Sequence, residues 1–209
     1  MTRRKTPTPR DRQEREGHLA WLRGFFGRGV CPYQAAFTLL NPLRRLILSP
    51  GQLMERLHLE PDHRVLELGP GPGYFTPTIA GALPVGRLVS LDLQYEMLGL
   101  LRRRLPRSKR MPDVALCQGD ARHLPFAPDS FDVVYLVAVL GEVPDPGQCL
   151  QACTRVLRRG GLLSITEQPG DPDALSESEI KRLAEPAGAR FRERYGTGKS
   201  FTLNFSADY

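Results

Sequence analysis

Four carboxylates and one glycine-rich turn supply most of the chemistry this chain could perform. Val65-Leu66-Glu67-Leu68 is a short apolar run with one acid in it, and it ends in Gly69, Gly71 and Gly73, alternating with Pro70 and Pro72. Glycines in such a turn permit unusual dihedrals and let a ligand come close to the backbone. A helix starting just after them would offer unpaired N–H groups and a positive dipole end to a carboxylate or phosphate. Glu67 itself needs a partner, because a carboxylate in an apolar strand costs free energy when left unpaired. Asp92 closes a second apolar run, 19 positions beyond Gly73, and Asp120 lies in Gly119-Asp120-Ala121. Glu142 lies in Gly141-Glu142-Val143-Pro144, where it could orient or deprotonate a reactant. Each acid also has a plainer reading: Asp92 as a cap of the next helix, Asp120 as an Asp-turn, Glu142 as a solvated loop residue.

Those residues need strands and helices in a fixed order to meet. Strands are expected at 65–68, Arg87 to Asp92, Val114 to Cys117, Phe131 to Val137 and Leu162 to Thr166. Phe131 to Val137 is nearly all apolar, as a strand covered on both faces should be. Helices are expected at Tyr74 to Leu83, Tyr95 to Leu105, and from an Asp145-Pro146 cap to about Arg159, closed by Gly160-Gly161. This rhythm predicts a doubly wound α/β fold with a mostly parallel sheet, in which ligands bind beyond the carboxyl ends of the strands. The glycine turn, Asp92, Asp120 and the stretch Leu136 to Glu142 all fall at those ends. The rhythm then breaks: after a helix at about 177–187, two strands at 190–195 and 200–205 are joined by Gly196-Thr197-Gly198-Lys199, an antiparallel hairpin.

Before the α/β body the texture differs. Residues 1–17 are polar, charged and expected to be a disordered basic tail, and 18–60 read as a helical segment with Trp21, Phe25, Phe26, Tyr33 and Phe37. Ser49-Pro50 reads as an N-cap opening a helix to about Leu57. The first 50 residues carry a charge of +7, against −1 for the rest of the 209-residue chain. The basic start suits an anionic membrane or nucleic acid, but also a solvated end. No apolar run is long enough to span a bilayer, and no signal-peptide core follows the basic start. Four cysteines without a Cys-x-x-Cys pair indicate free thiols in a reducing, cytoplasmic setting, with no metal site. Cys149 and Cys153, with Val156, share one helix face and read as core; Cys31 is the one thiol placed to approach a substrate.

Taken together, Glu67-Leu68-Gly69-Pro70-Gly71-Pro72-Gly73, Asp92, Gly119-Asp120-Ala121, Phe131-Asp132-Val133-Val134 and Val156-Leu157-Arg158-Arg159-Gly160-Gly161 resemble a class I S-adenosylmethionine-dependent methyltransferase. Within that superfamily the similarity is to the type 11, ubiquinone-biosynthesis-like, small-molecule group, and it covers about Arg64 to the C-terminus. The resemblance implies a seven-stranded sheet over residues 61–209 and S-adenosylmethionine as cofactor. It implies that Asp92 holds the ribose hydroxyls, Leu93 packs on adenine, and Asp120 and the Ala121 N–H meet the adenine edge. It further implies that Glu67 faces the ammonium end, and that Gly69, Gly71, Gly73 and Leu136 belong to the same binding surface. Pro70 stands where many relatives have cysteine, and Leu140-Gly141-Glu142 where many have histidines, so the resemblance supplies no base and Glu142 is the candidate from this sequence.

Transfer of a methyl group to a small-molecule acceptor is the reading this favours. Nucleic-acid or protein methylation competes because of the basic N-terminus, but no Asn-Pro-Pro-Tyr or Asp-Pro-Pro-Tyr follows the fourth strand. An NAD-binding protein, or a methyltransferase-like scaffold that only binds, is the third reading, though Tyr74 stands where a dinucleotide fingerprint would want glycine. The segment 18–60 is expected to form a lid over the cofactor and to build the acceptor pocket; a membrane-surface helix is the competing account. Oligomeric state is open.

Overall fold

The computed structural model describes residues 29–41, 45–105 and 114–208. The expected basic tail at 1–17 lies outside them, as do Trp21, Phe25, Phe26 and Arg44.

Five strands form the parallel part of one sheet: β1 (Arg64–Leu68), β2 (Arg87–Asp92), β3 (Val114–Gln118), β4 (Phe131–Val137) and β5 (Leu157–Glu167). The hairpin strands β6 (Ala189–Thr197) and β7 (Ser200–Ala207) complete it in the order β3-β2-β1-β4-β5-β7-β6, with β7 antiparallel to β5 and to β6. The α/β fold with a closing hairpin is therefore as the sequence predicts. Both faces of the central strands are covered. Leu66, Leu68, Val134 and Leu136 pack on one side, and Val65, Val133 and Tyr135 on the other. That two-sided burial explains why β1 and β4 read as continuous apolar runs.

The helices are α1 (Ala36–Leu39), α2 (Pro50–Arg56), α3 (Thr76–Gly81), α4 (Tyr95–Arg104), α5 (Pro146–Val156) and α6 (Glu177–Ala184). A capping box between Ser49 and Gln52 starts α2, and the Asp145 side chain accepts from the Gln148 N–H to start α5. Cys149 and Cys153 are fully buried on α5, as their spacing indicated.

Two of the boundaries that differ from the sequence expectation do so for a clear local reason. Helix α5 stops at Val156, because Leu157 is extended, buried and paired with Phe131 at the start of β5. Gly160, at φ +73°, and Gly161, whose missing Cβ would lie 3.0 Å from the Asp132 carbonyl, then shape an irregularity in β5. The glycine pair bends a strand instead of closing a helix. Helix α3 begins at Thr76, two residues late, since Gly69, Gly71 and Gly73 all take positive φ and keep the chain in a turn.

Helix α2 and the closing hairpin meet on the side of the sheet that carries Tyr135. Arg56 of α2 donates to Thr202 of β7 at 2.9 Å, and the Asn204 amide donates to the Arg56 carbonyl at 2.7 Å. His58, Glu193 and Tyr195 add a surface cluster on the same seam.

Candidate active site

A cavity of about 260 Å³ opens beyond the carboxyl ends of β1, β2 and β4. Its walls include Glu67, Gly69, Gly71, Asp92, Leu93, Asp120, Ala121 and Glu142, so eight of the residues expected at a site are brought together. Gly73 and Leu136 are not among its walls. Gly73 packs against Leu101 of α4, which would collide with any Cβ there, and Leu136 is buried in the core.

At the base of the cavity, Glu67 is 2% exposed. Ser90 of β2 and Thr76 of α3 donate to its Oε2 at 2.7 and 2.9 Å. Burial pushes the carboxyl above its ordinary value, and hydrogen bonding from Ser90, Tyr135 and Thr76 offsets part of that. Asp92 closes β2 and accepts from the Gly71 N–H at 3.2 Å and the Gln94 N–H at 2.9 Å. Its carboxyl is also raised, by burial first. The two bonds hold the carboxylate against the glycine turn while Leu93, half exposed, stands beside it.

Asp120 is already engaged. Both its oxygens accept from the Arg122 guanidinium, at 2.6 to 3.1 Å, and Oδ1 accepts from the Arg122 N–H at 2.9 Å. The Arg122 bonds hold its carboxyl down at about 2, so it stays an acceptor at any working pH. The Asp-turn and the wall position are thus both present.

Glu142 belongs to a short 3-10 turn, Leu140–Glu142, after β4. Burial raises it to about 7, with the Asp171, Asp173 and Asp92 charges adding and the Cys31 N–H opposing. Behind it, Glu167 at the end of β5 is 1% exposed and raised to about 8 by burial and the Asp171 charge. The Leu175 N–H offsets this in part without making a hydrogen bond of good geometry.

A strap from the N-terminal segment crosses the mouth. The Gly29 N–H donates to Asp173 at 2.7 Å and the Cys31 N–H to Glu142 at 3.3 Å. On the other side Gln94 donates to the Cys31 carbonyl at 2.7 Å and accepts from the Tyr33 N–H at 3.2 Å. Val30, Cys31 and Leu39 thereby line the cavity. Sequence reasoning missed Gln94, Arg122 and Tyr135. Tyr135 could have been found by the argument applied to Glu67, since both put a polar atom into an apolar strand.

Residues 66–165 match the profile of a family described as a methyltransferase domain. Over that stretch, just under half of the chain, the α/β body is similar to methyltransferase domains. A solved methyltransferase from Aquifex aeolicus shares its fold at a TM-score of 0.75 and 20% identity, covering 84% of this chain and 98% of that one. An uncharacterised 37.1 kDa protein of transposon Tn4556 from Streptomyces fradiae is 34% identical over 173 residues, which is 80% of this chain and 48% of that protein. A demethylmenaquinone methyltransferase of Lactobacillus johnsonii is 33% identical over 124 residues, or 58% of this chain and 51% of the enzyme. The chain spans about half the length of these curated relatives.

The cavity fits the family's cofactor. A carboxylate ends β2 against the glycine turn, an exposed apolar side chain follows it, and a buried acid lies at the base. Held as the resemblance implies, the cofactor would meet Asp92 at the ribose hydroxyls, Leu93 on adenine, Asp120 and the Ala121 N–H at the adenine edge, and Glu67 at the ammonium. Among the described residues no group of three or more His, Cys, Asp or Glu could hold a metal ion, and no helix is long and apolar enough to cross a membrane.

Glu167 generates a prediction about stability. Between the carboxyl's ordinary value of 4.5 and about 8, the folded protein holds a proton that the unfolded chain has released. Stability therefore falls as pH rises through that window. In Glu167→Gln the fall between about pH 5 and pH 8.5 should be shallower by roughly 2–4 kcal/mol, measured by urea unfolding. Equal slopes in the two proteins would contradict the assignment.

Proposed function

We propose that this protein transfers a methyl group from S-adenosylmethionine to a small-molecule acceptor. The observation that carries the reading is one cavity lined both by Asp92, Leu93 and Asp120 and by Glu142 and Cys31, with the strap across its mouth. When bound, S-adenosylmethionine supplies an electrophilic methyl group on a sulfonium. The protein's part is to hold both reactants in line and to exclude water. A roofed cavity of about 260 Å³ favours a small acceptor over a strand of nucleic acid. Relatives named as demethylmenaquinone and malonyl-[acyl-carrier protein] methyltransferases point the same way. Four free thiols support a cytoplasmic setting.

Glu142 takes the role of general base. It lines the cavity beside Cys31, and burial brings it to about 7, so near neutral pH it can accept a proton from an acceptor's nucleophile. The strap at 29–41 acts as the described part of a lid, held by carboxylates on one side and by Gln94 on the other.

Three outcomes test this. Calorimetry with S-adenosylhomocysteine should show binding that Asp92→Ala weakens by roughly 1–3 kcal/mol, the cost of leaving a buried hydrogen bond unmade; unchanged affinity in a folded variant removes Asp92 from the site. With an acceptor in hand, Glu142→Gln should lower the single-turnover rate by about 100-fold or more and abolish the rise in rate near neutral pH. Wild-type turnover would take Glu142 out of the mechanism. Finally, S-adenosylhomocysteine should slow proteolysis within 29–41. Equal cleavage with and without it, together with sedimentation on anionic vesicles, would favour a membrane-surface role for this segment.

A further inference from the structure

We propose that Gln94 is a positioning residue that couples cofactor binding to the strap, so that the strap tightens over the cavity once a ligand engages Asp92 and Leu93. The inference rests on the cofactor reading above and extends it to the order of binding, with the cofactor before the acceptor.

Gln94 occupies the N-cap position of α4, where a side chain ordinarily accepts from the first free N–H groups of the helix. Ser49, Asp145 and Ser176 do this for α2, α5 and α6. The Gln94 side chain makes no such bond. It turns to the strap instead, its Nε2 donating to the Cys31 carbonyl at 2.7 Å and its Oε1 accepting from the Tyr33 N–H at 3.2 Å. Both ends of the amide are spent on backbone atoms two residues apart. Helix capping does not account for this side chain, and a hold on the strap does.

The backbone of the same residue is tied to the cofactor wall. Its N–H donates to Asp92 Oδ1 at 2.9 Å, while Oδ2 of that carboxylate accepts from the Gly71 N–H at 3.2 Å. The Leu93 carbonyl accepts from Gln118 at 3.2 Å and the Asp92 carbonyl from the Gly119 N–H at 3.0 Å, which fixes the turn from the β3 side as well. Asp92, Leu93 and Gln94 thus form one short lever, with the first two on the cavity wall and the third gripping the strap.

The lever has a physical means of responding to a ligand. Burial raises the Asp92 carboxyl, and ribose hydroxyls donating to it would favour its ionised form. An ionised acceptor holds an N–H about twice as strongly as a neutral one. Contact at Asp92 therefore tightens the bond to the Gln94 N–H and fixes the base from which the side chain reaches the strap. On the far side the strap is held by Asp173 and Glu142, so Gln94 is a hydrogen-bonded link between it and the cofactor-binding residues.

Hydrogen exchange at residues 29–41, followed in the wild type and in Gln94→Ala with and without saturating S-adenosylhomocysteine, tests the inference. In the wild type the ligand should slow exchange there by about 10-fold or more. In Gln94→Ala, where the two side-chain bonds are lost, the slowing should shrink to about threefold or less. Affinity for S-adenosylhomocysteine should fall by no more than the factor lost, since coupling between two sites is reciprocal. A variant whose strap exchanges faster by the same factor in both states would overturn the proposal, because Gln94 would then only anchor the strap. Exchange identical to the wild type would overturn it as well, and so would a wild type that binds the ligand without slowing at 29–41. If the alanine variant fails to fold, Gln94→Glu carries the same comparison, since it keeps the acceptor for the Tyr33 N–H and loses the donor to Cys31. Failure of the wild type to bind S-adenosylhomocysteine would instead remove the cofactor reading on which the inference rests.

Discussion

A carboxylate inside an apolar sheet has to be matched, and the matching of Glu67 ties the centre of this molecule together. Its partners come from β2, through Ser90, and from the start of α3, through Thr76. The bond to Thr76 fixes where the chain leaves the glycine turn and becomes helical. The bond to Ser90 spans β1 and β2, whose carboxyl ends carry the rest of the site. Asp92, the last residue of β2, then accepts from the Gly71 N–H and closes the same turn from the other side. One buried charge thus sets the positions of three elements, and the cavity forms among them.

Most of the acids around this cavity are poorly placed for their own charge. Glu67, Asp92, Glu142, Glu167 and Asp171 are all raised by burial, and several raise one another. Asp120 alone among the lining acids goes the other way, because Arg122 is beside it. Such an arrangement costs stability in the empty protein. It is offset when a cation arrives, and the family's cofactor carries positive charge on both its ammonium and its sulfonium. Ground-state strain of this electrostatic kind is common where function needs it.

The hairpin and the N-terminal segment extend the same logic outward. Helix α2 is bound to β7 through Arg56 across more than a hundred residues of sequence, and the strap at 29–33 is pinned to Glu142, Asp173 and Gln94. Gly141 allows that pinning, since any Cβ there would run into the Asp173 backbone. The loop after β4 and the segment around Asp173 can approach only through a glycine.

Much of this was readable from residues alone, because period and punctuation are local. The alternation of strands and helices, the glycine turn, the Ser49 and Asp145 caps and the hairpin all follow from side-chain pattern, proline and glycine over a few residues. So does the gathering of Glu67, Asp92, Asp120 and Glu142, since a parallel sheet brings all its strand ends to one edge. What tertiary structure decided is which atoms meet. Leu157 became strand because Phe131 was there to pair with it. Gly73 serves Leu101 on a neighbouring helix, Asp120 is shared with Arg122, and Tyr135 faces Glu67 because β4 lies beside β1 in that register. Those contacts join residues far apart in the chain, and only packing in three dimensions, where sheet order and register are fixed, brings them within reach of one another.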